Sequence, residues 1–465
     1  MSVLLSAPVD GPIVPILAVS QADWPGVLAE RPGRLAALAD VSGFKAKAGE
    51  VLLVPGQDGT LEQVVFGLGH PSSVAAAARS FRSLPSKLGQ GQYELDPTIE
   101  GLDHGTIALA WALGSYSFDR YKSQAAKPSP QLVVGAGVDA QSRLLMAEAC
   151  ALAKDMVNTP ANDMGPAEIE AVARDLAQRF GAEIAVITGD DLIGQNYPAV
   201  HAVGRAAHAS RASRMIEITW GRPEHPIICL VGKGVVFDTG GLDMKPSAGM
   251  RLMKKDMGGA AHALALGQMI MAANLPVRLV ILTPVVENAI SGDAMRPGDV
   301  LASRKGLTIE VGNTDAEGRL ILADALSRAS ELEPVLTIDL ATLTGAARVA
   351  LGPQVIPFFT PDEALASDLA AASEATGDPL WRLPLWAGYE PSLDSDIADL
   401  KNDPDGWAQA GAMTAALFLQ RFAPKGPWVH LDIYAWNPRK QPGHPLGAEA
   451  QAILALFALI QTRFA

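Results

Sequence analysis

Two carboxylates and a guanidinium lie close together in the segment Asn313-Thr-Asp-Ala-Glu-Gly-Arg-Leu320, as Asp315, Glu317 and Arg319. The segment follows the apolar run 307–311 and precedes a helix-patterned stretch over 320–329. An acidic turn at the end of a strand lies where open α/β sheets bind ligands. Acidic residues also favour helix N-termini electrostatically, so simple helix capping is an alternative interpretation.

A second charged cluster precedes it, with Lys233, Asp238, Lys245 and Asp256 set among glycines. The apolar run 227–231 before this cluster predicts a central strand buried on both faces, with a Gly-rich turn at its binding edge. A phosphate-binding loop is a weaker interpretation, because the Walker spacing is absent and the aspartates would repel phosphate.

The two clusters together predict a site for divalent cations, since several carboxylates at one sheet edge often hold two metal ions roughly 3.5–4 Å apart. The eight histidines are scattered and form no His-x-x-x-His pair, which argues against a single-zinc protease of that kind. His262 lies in an Ala-rich helical stretch, where we predict a packing or surface role.

These segments resemble the signature regions of the leucyl aminopeptidase family of cytosolic metallopeptidases. The octapeptide from Asn313 to Leu320 matches without departure, and the order Lys233, Asp238, Lys245, Asp256 matches at its fixed spacing. Further similar stretches are Asp339-Leu-Ala-Thr-Leu-Thr-Gly-Ala346, Asn158-Thr-Pro-Ala-Asn162, Arg296-Pro-Gly-Asp-Val300 and, more weakly, Phe118-Asp-Arg-Tyr-Lys122 and Gly411-Ala-Met-Thr-Ala415. The resemblance covers about Cys150 to Asp432 and shows little over the first 140 residues.

The resemblance implies two divalent metal ions per subunit. One ion would be held by Lys233, Asp238, Asp256 and Glu317, and the other by Asp238, Asp315 and Glu317. Carboxylates accept Zn²⁺, Mn²⁺ or Mg²⁺, whereas an amine ligand favours Zn²⁺, Mn²⁺ or Co²⁺, so manganese and zinc are the expected metals. The alternative for Lys233 is an ordinary ion pair with Asp238.

The same resemblance implies a mechanism in which a hydroxide bridging the two ions attacks the first peptide bond of a substrate with a free amino terminus. Lys245 would stabilise the oxyanion, and Arg319 would hold a bicarbonate ion that acts as general base. The alternatives are a solvated surface lysine for Lys245 and simple neutralisation of nearby carboxylates for Arg319.

The substrate pocket is where the sequence departs from the family pattern. Met253, Thr342 and Gly345 match positions that line the pocket for the first side chain, and Leu343 matches one whose carbonyl accepts from the substrate; core packing is the alternative for Met253 and Leu343. Tyr434 stands where a small residue is usual, apparently with a slight shortening of the chain. We therefore expect a reshaped pocket and leave the preferred first residue open, including particular dipeptides such as Cys-Gly.

The length of 465 residues predicts two domains, and alternating strand-like and helix-like runs predict an α/β fold. We predict a smaller N-terminal α/β domain over 1–140, a connecting helix over 141–160, and a larger C-terminal catalytic α/β domain over 161–465 with a mixed central sheet flanked by helices. The segment 402–406 is expected to form a surface loop. The resemblance also implies a homohexamer.

A net charge of −13 disfavours binding to nucleic acid. A DNA-binding regulator remains an alternative, because some relatives of the family have that role and Arg79, Arg82 and Lys87 lie close together in the sequence. A non-catalytic assembly protein is another, although no ligand position is lost. The amino terminus is a poor secretory signal, no apolar run would span a bilayer, and Cys150 and Cys229 fit reduced core thiols, so we expect a cytoplasmic protein.

Overall fold

The computed structural model describes residues 3–31, 33–96, 101–123, 128–404, 407 and 409–465. The chain forms two compact units, the first containing Met1–Ala151 and Arg439–Leu446 and the second containing Leu152–Pro438 and Gly447–Ala465. The expectation of an α/β fold with a smaller N-terminal part and a larger C-terminal part is confirmed. The functional division at 140 and 160 stays a prediction.

The first unit is built on a six-stranded sheet with the strand order β1-β6-β5-β2-β4-β3. Its core contains the large side chains Phe66, Phe81 and Trp111, which are fully buried. The elements from the start of the chain are β1 (Leu4–Leu5), β2 (Ile13–Ser20), α1 (Trp24–Glu30), α2 (Arg34–Ser42), β3 (Val51–Pro55), β4 (Leu61–Gly69), α3 (Val74–Ser80), β5 (Gln92–Leu95), α4 (His104–Gly114), β6 (Gln131–Val133) and α5 (Ala140–Asn158). Short 3₁₀ turns follow α3 at Phe81–Ser83 and Pro85–Lys87.

The second unit is larger and contains the charged clusters. Its elements up to the octapeptide are α6 (Pro166–Phe180), β7 (Glu183–Thr188), α7 (Asp191–Gly194), α8 (Pro198–Gly204), β8 (Arg214–Trp220), β9 (Ile227–Gly232), β10 (Gly234–Asp238), α9 (Ser247–Met250), α10 (Gly258–Ala272), β11 (Arg278–Asn288), β12 (Val300–Ala302) and β13 (Thr308–Glu310). The remaining elements are α11 (Glu317–Glu331), β14 (Leu336–Ala341), α12 (Gly345–Leu351), β15 (Ile356–Phe359), α13 (Glu363–Thr376), β16 (Leu380–Arg382), β17 (Leu400–Lys401), α14 (Gly411–Gln420), β18 (Trp428–Asp432), β19 (Trp436–Asn437), β20 (Gly447–Ala448) and α15 (Ile453–Phe464). Further 3₁₀ segments are Ala209–Arg211, Met253–Lys255 and Ala387–Leu393.

A nine-stranded mixed sheet organises this unit, with the path β16-β15-β18-β14-β9-β11-β8-β7 and with β10 paired to β11. The strands β18, β14, β9 and β11 run parallel to one another, and β10 runs parallel to β11. Because parallel strands end at the same edge of a sheet, the residues that follow these strands converge there. Lys233, Asp238, Thr342 and Asp432 are therefore brought to one edge.

Two local expectations differ from the structure. The Gly-rich stretch after β9 is not one turn, because Gly234–Asp238 forms the separate strand β10 after a break at Lys233, whose backbone N–H donates to Leu340. The glycines on either side concealed the short β-favouring run that they enclose. Glu317 and Arg319 lie in the first turn of α11 rather than on the preceding loop, and the strand before them, β13, belongs to a small three-stranded sheet with β12 and β17.

One glycine is required where α10 meets the sheet edge. A Cβ added at Gly259 would lie 2.1 Å from the carbonyl oxygen of Leu340 and 2.7 Å from the backbone nitrogen of Lys233. Only glycine lets the helix approach this closely. The close approach places the start of α10, and the Asp256 turn before it, beside Lys233.

Candidate metal centre

Three carboxylates form the centre of the site. One oxygen atom from each of Asp238, Asp315 and Glu317 lies within 4.8 Å of the others. Asp238 ends β10, Asp315 lies on the loop before α11, and Glu317 opens that helix. Asp238 and Glu317 are buried, at 2% and 1% exposure, whereas Asp315 is half-buried. The structure thus brings both sequence clusters together.

The chemistry of this cluster fits divalent cations. Both carboxylate oxygens of Glu317 are buried, and in the described part of the chain neither accepts a hydrogen bond of good geometry, although Oε1 forms an ion pair with Lys233 at 3.0 Å. Burial, followed by the charge of Asp238, raises the pKa of Glu317 to about 8 and that of Asp315 to about 6. Crowded carboxylates with open lone pairs are costly unless cations neutralise them. The protein groups alone supply only part of that neutralisation.

Lys233 follows β9 and joins the cluster to Asp256. Its Nζ lies 2.8 Å from Asp256 Oδ2 and 3.0 Å from Glu317 Oε1, and it donates to the carbonyl oxygen of Thr342 at 3.1 Å. Burial alone would lower the pKa of Lys233, but the surrounding carboxylates outweigh burial and leave it above its ordinary value. Lys233 therefore forms ion pairs with Asp256 and Glu317. The alternative considered from the sequence was an ion pair with Asp238.

Lys245 reaches the same cluster from the loop after β10. Its Nζ lies 2.8 Å from Asp238 Oδ2 and also contacts Asp315 Oδ1. Burial would lower the pKa of Lys245, yet the charges of Asp238 and Glu317 raise it above the ordinary value. The side chain is only 15% exposed, so Lys245 is a held cation rather than a freely solvated surface lysine.

Arg319 is a buried cation that forms no ion pair among the described residues. It is 6% exposed, its Nη1 donates to the carbonyl oxygen of Asn402, and its Nε has no hydrogen-bond acceptor among the described residues. No Asp or Glu of the described ranges forms an ion pair with it, and burial lowers its pKa. The charges of Asp403, Glu317 and Asp432 nevertheless act on Arg319, so both interpretations of this residue, anion binding and neutralisation of nearby carboxylates, stay predictions.

Several residues that position the cluster were missed from the sequence. The side-chain nitrogen of Asn288 donates to Asp238 Oδ1 at 2.8 Å and to the carbonyl oxygen of Thr314 at 3.1 Å. Thr314, fully buried, accepts from the backbone N–H of Asp243 at 2.8 Å and donates to the carbonyl oxygen of Gly240. These bonds fasten the β10 loop to the octapeptide loop. Thr314 belongs to the octapeptide, whereas nothing in the local pattern distinguishes Asn288.

Asn402 holds the octapeptide from the other side. Its Oδ1 accepts from the backbone N–H groups of Gly312 and Asn313, and its Nδ2 donates to the carbonyl oxygens of Asn313 and Ala316. The expectation of a surface loop over 402–406 is wrong at its start, because Asn402 is fully buried. Residues 405 and 406 lie outside the described residues. Asn, Asp, Pro and Gly are typical of exposed turns, so composition concealed this role.

The predicted pocket residues lie around the neighbouring strand ends. Thr342 follows β14 and donates through Oγ1 to Asp256 Oδ1 at 2.7 Å, so it positions a predicted metal ligand. Met253 opens the 3₁₀ turn before Asp256, and Leu343 and Gly345 lead into α12. The backbone N–H of Leu343 donates to Asp432 Oδ1 at 2.9 Å.

Tyr434 lies two residues beyond β18 and is half-buried. The Nζ atom of Lys255 lies 4.5 Å from the centroid of its ring, and the Cζ atom of Arg348 lies 5.6 Å from the same centroid. Burial lowers the pKa of Lys255 to about 8, which leaves its amine mostly protonated at neutral pH. Neither cation was singled out from the sequence, because the contacts join residues far apart in the chain.

The fold and the site define a class of metallohydrolase, with an acidic cluster and two lysines at the edge of a mixed α/β sheet. Residues 151–457 match the family model described as the catalytic domain of the cytosol aminopeptidase family. Residues 14–134 match the N-terminal domain of M17 aminopeptidases, a signal that the sequence motifs did not reveal. The chain belongs to the cytosol aminopeptidase family and is a metal-dependent aminopeptidase. The resemblance to the leucyl aminopeptidases is confirmed.

Similar proteins cover nearly the whole chain. A probable cytosol aminopeptidase of Geobacter sp. (strain M21) is 36% identical over 458 residues, covering 93% of this chain and 92% of that protein. The crystal structure of the cytosol aminopeptidase from Coxiella burnetii is 42% identical, with a TM-score of 0.93 and 99% of each chain covered. The bottromycin maturation enzyme BotP, solved in complex with Mn, is 34% identical, with a TM-score of 0.86 and 97% and 99% of the two chains covered.

These matches do not support the alternatives of a DNA-binding regulator or a non-catalytic assembly protein. Among the residues that the structure describes, no helix is both long and apolar enough to cross a membrane.

Proposed function

We propose that the chain releases amino acids from the free amino ends of peptides at a centre of two divalent ions held by Lys233, Asp238, Asp256, Asp315 and Glu317. The main support for this proposal is the close approach of Asp238, Asp315 and Glu317, which have oxygen atoms within 4.8 Å of one another. Manganese is favoured because the related BotP was solved with Mn, and zinc remains the other candidate.

Two bound divalent ions would lower the pKa of a shared water from about 15.7 toward 7 and so supply hydroxide as the nucleophile. Lys233 presents its Nζ beside Asp256 and Glu317, so the same atom that forms the ion pairs is placed to become a nitrogen ligand after loss of its proton. Metal binding and deprotonation of such a ligand are coupled.

Lys245 is proposed to stabilise the oxyanion that develops on the attacked carbonyl. Its pKa lies above the ordinary value, so it stays a cation at neutral pH. Its Nζ is held 2.8 Å from Asp238 Oδ2, which fixes its direction without burying it completely. A preorganised donor of this kind contributes roughly 3–4 kcal/mol to transition-state stabilisation.

Arg319 is proposed to bind a bicarbonate ion that acts as general base. The guanidinium is buried, has an unpartnered Nε and forms no ion pair in the described part of the chain, so an external anion would supply the missing charge. One nitrogen is already fixed by the Asn402 carbonyl, which orients the remaining donors. No histidine belongs to the described acidic cluster to serve as the base instead.

Met253, Thr342, Gly345 and Tyr434 are proposed to line the pocket for the first side chain, and the carbonyl of Leu343 to accept from the substrate. Tyr434 is proposed to narrow or reshape this pocket relative to the family pattern. The homohexamer implied by the family is likewise proposed, with analytical ultracentrifugation of the metal-loaded protein as its test.

The central test is release of free amino acid from X-Gly dipeptides and X-anilides by metal-stripped protein, before and after Mn²⁺ or Zn²⁺ is restored. We expect activity only with metal, on unblocked amino ends alone, and none with Asp315→Ala. Metal content measured on the same samples should approach two ions per chain and fall in the variant. Full activity of Asp315→Ala, or of the stripped protein, would contradict the proposed centre.

A further inference from the structure

Lys255 is a buried cation that the proposed mechanism does not use. It is 6% exposed and lies between the predicted pocket residue Met253 and the predicted ligand Asp256. Across the described ranges, its ammonium group forms no hydrogen bond and no ion pair, and its Nζ lies over the ring of Tyr434, 4.5 Å from the centroid. Lysine is rarely buried to this extent without a partner.

The nearest carboxylates are already engaged. Asp256 pairs with Lys233 at 2.8 Å and accepts from Thr342, while Asp432 accepts from the backbone N–H of Leu343 and from both donors of Thr344. The charges of Asp256 and Asp432 attract Lys255 and those of Lys233 and Lys245 repel it, but neither carboxylate forms an ion pair with it. Among the described residues, Lys255 therefore has no carboxylate in direct contact with its ammonium group.

A second cation lies on the same aromatic ring. Arg348 on α12 is exposed, its guanidinium is 5.6 Å from the centroid of the Tyr434 ring, and it forms no ion pair among the residues that are described. Tyr434 thus contacts two positive groups, one buried beside the metal centre and one open to solvent. An aromatic ring moderates the charge of a cation but does not replace a hydrogen-bond acceptor.

We infer that Lys255, assisted by Arg348, recognises a carboxylate on the first side chain of the peptide, so that the enzyme favours N-terminal Glu or Asp over the uncharged Gln or Asn. This inference rests on the proposed function, because Met253, Thr342 and Tyr434 place Lys255 at the pocket for that side chain. The substrate would supply the acceptor that the buried ammonium lacks. Lys255 is thereby a specificity-determining residue.

A dipeptide also has a carboxylate at its C terminus, which could bind Lys255 in place of a carboxylate on the first side chain. The experiment must therefore distinguish these two carboxylates. Anilides contain no C-terminal carboxylate, so a comparison of Glu-anilide with Gln-anilide isolates the first side chain. A comparison of Leu-Gly with Leu-Gly-amide isolates the C terminus.

The experiment measures kcat/KM of the metal-loaded enzyme on both pairs for wild type, Lys255→Met, Lys255→Arg and Lys254→Met. Lys254 is the matched control, because it lies on the same turn but donates to the carbonyl oxygen of Asn158 and lies 5.5 Å from the centroid of the Trp436 ring. We expect wild type to prefer Glu-anilide by roughly 10- to 100-fold, the range of a hydrogen bond to a charged group. Lys255→Met should abolish that preference, while Lys255→Arg and Lys254→Met should keep it.

Equal rates for Glu- and Gln-anilide in wild type, with Leu-anilide cleaved, would overturn the inference and leave the proposed function intact. Discrimination confined to Leu-Gly over its amide would overturn the assignment to the first side chain. Inactivity on every substrate would instead count against the proposed function, and calorimetric binding of free glutamate against glutamine would then decide the role of Lys255. Binding of glutamate that is tighter in wild type and lost in Lys255→Met would support it, and equal binding of both would refute it.

Discussion

His262 should make the protein lose stability in mild acid. The side chain is fully buried in α10, with Nδ1 2.6 Å from the carbonyl oxygen of Gly258 and Nε2 accepting from the backbone N–H of Gln451 at 3.0 Å. One ring nitrogen donates and the other accepts, which defines a neutral imidazole. Burial lowers the pKa of His262 from 6.5 to about 4, although the hydrogen bond to the Gly258 carbonyl and the backbone and charge of Glu449 act in the opposite direction.

The sign and size of the effect follow from proton linkage. Between pH 6.5 and 4 the unfolded chain binds a proton at this histidine and the native state does not, so the stability that His262 contributes is present above pH 6.5 and is lost as pH falls toward 4. The pKa of His262 falls from 6.5 in the unfolded chain to about 4 in the native state, and one pKa unit corresponds to 1.36 kcal/mol. The loss in the free energy of unfolding is therefore at most roughly 3 kcal/mol.

The assay is urea unfolding of wild type and His262→Gln at intervals from pH 7 to pH 4, since the other titrating groups are common to both proteins and cancel in the difference. At pH 7 the variant should be the less stable, because glutamine cannot keep both hydrogen bonds of the ring. The difference should shrink by roughly 3 kcal/mol on acidification. A difference that stays constant across this range would refute the interpretation of His262 as a buried neutral base.

Two further substitutions test how the metal centre is positioned. Gly318→Ala would place a Cβ 2.5 Å from Cε and 2.8 Å from Nζ of Lys233, so we expect that lysine to be displaced. Metal affinity measured by calorimetry should fall at least roughly 10-fold, a typical scale for disturbed ligand positioning. An affinity equal to that of wild type would show that Lys233 is not a ligand. Asn402→Ala removes four hydrogen bonds to the octapeptide loop and should weaken metal binding by roughly 10- to 100-fold, whereas unchanged binding would mean that the loop holds its shape unaided.

The sequence predicted the charged residues of the site better than it predicted the residues that hold them in position. The octapeptide and the lysine and aspartate pattern name residues that the structure brings together, and the apolar run 227–231 is indeed the buried central strand β9. Short-range patterns carry this information because strand burial and metal-ligand residue types are both local properties. The predicted roles of these residues await the experiments above.

The supporting contacts were beyond sequence reasoning because they join distant parts of the chain. Asn288 reaches back 50 positions to Asp238, and Asn402 reaches back 89 positions to Asn313. Both are ordinary polar residues whose surroundings are determined by the order of strands in the sheet. The contact between Lys255 and Tyr434 is of the same kind, and it appears only after β18 ends beside the Asp256 turn.

The four cations around the site divide into two kinds. Lys233 and Lys245 each contact two carboxylates, so their charges are used within the protein and partly balance the acidic cluster. Arg319 and Lys255 are equally buried but form no ion pair with a carboxylate among the described residues, although nearby carboxylates attract both of them. A buried cation without an anion destabilises a fold unless something binds to it.

Under the proposals above, each of these two cations would bind an anion that arrives from solution. Arg319 lies beyond the cluster and is fixed by Asn402, which suits a small anion that remains bound through the reaction. Lys255 lies on the side of Tyr434, which suits an anion that changes with each substrate. If both proposals hold, the two buried positive charges, which form no ion pair among the described residues, would act in different steps of the same reaction.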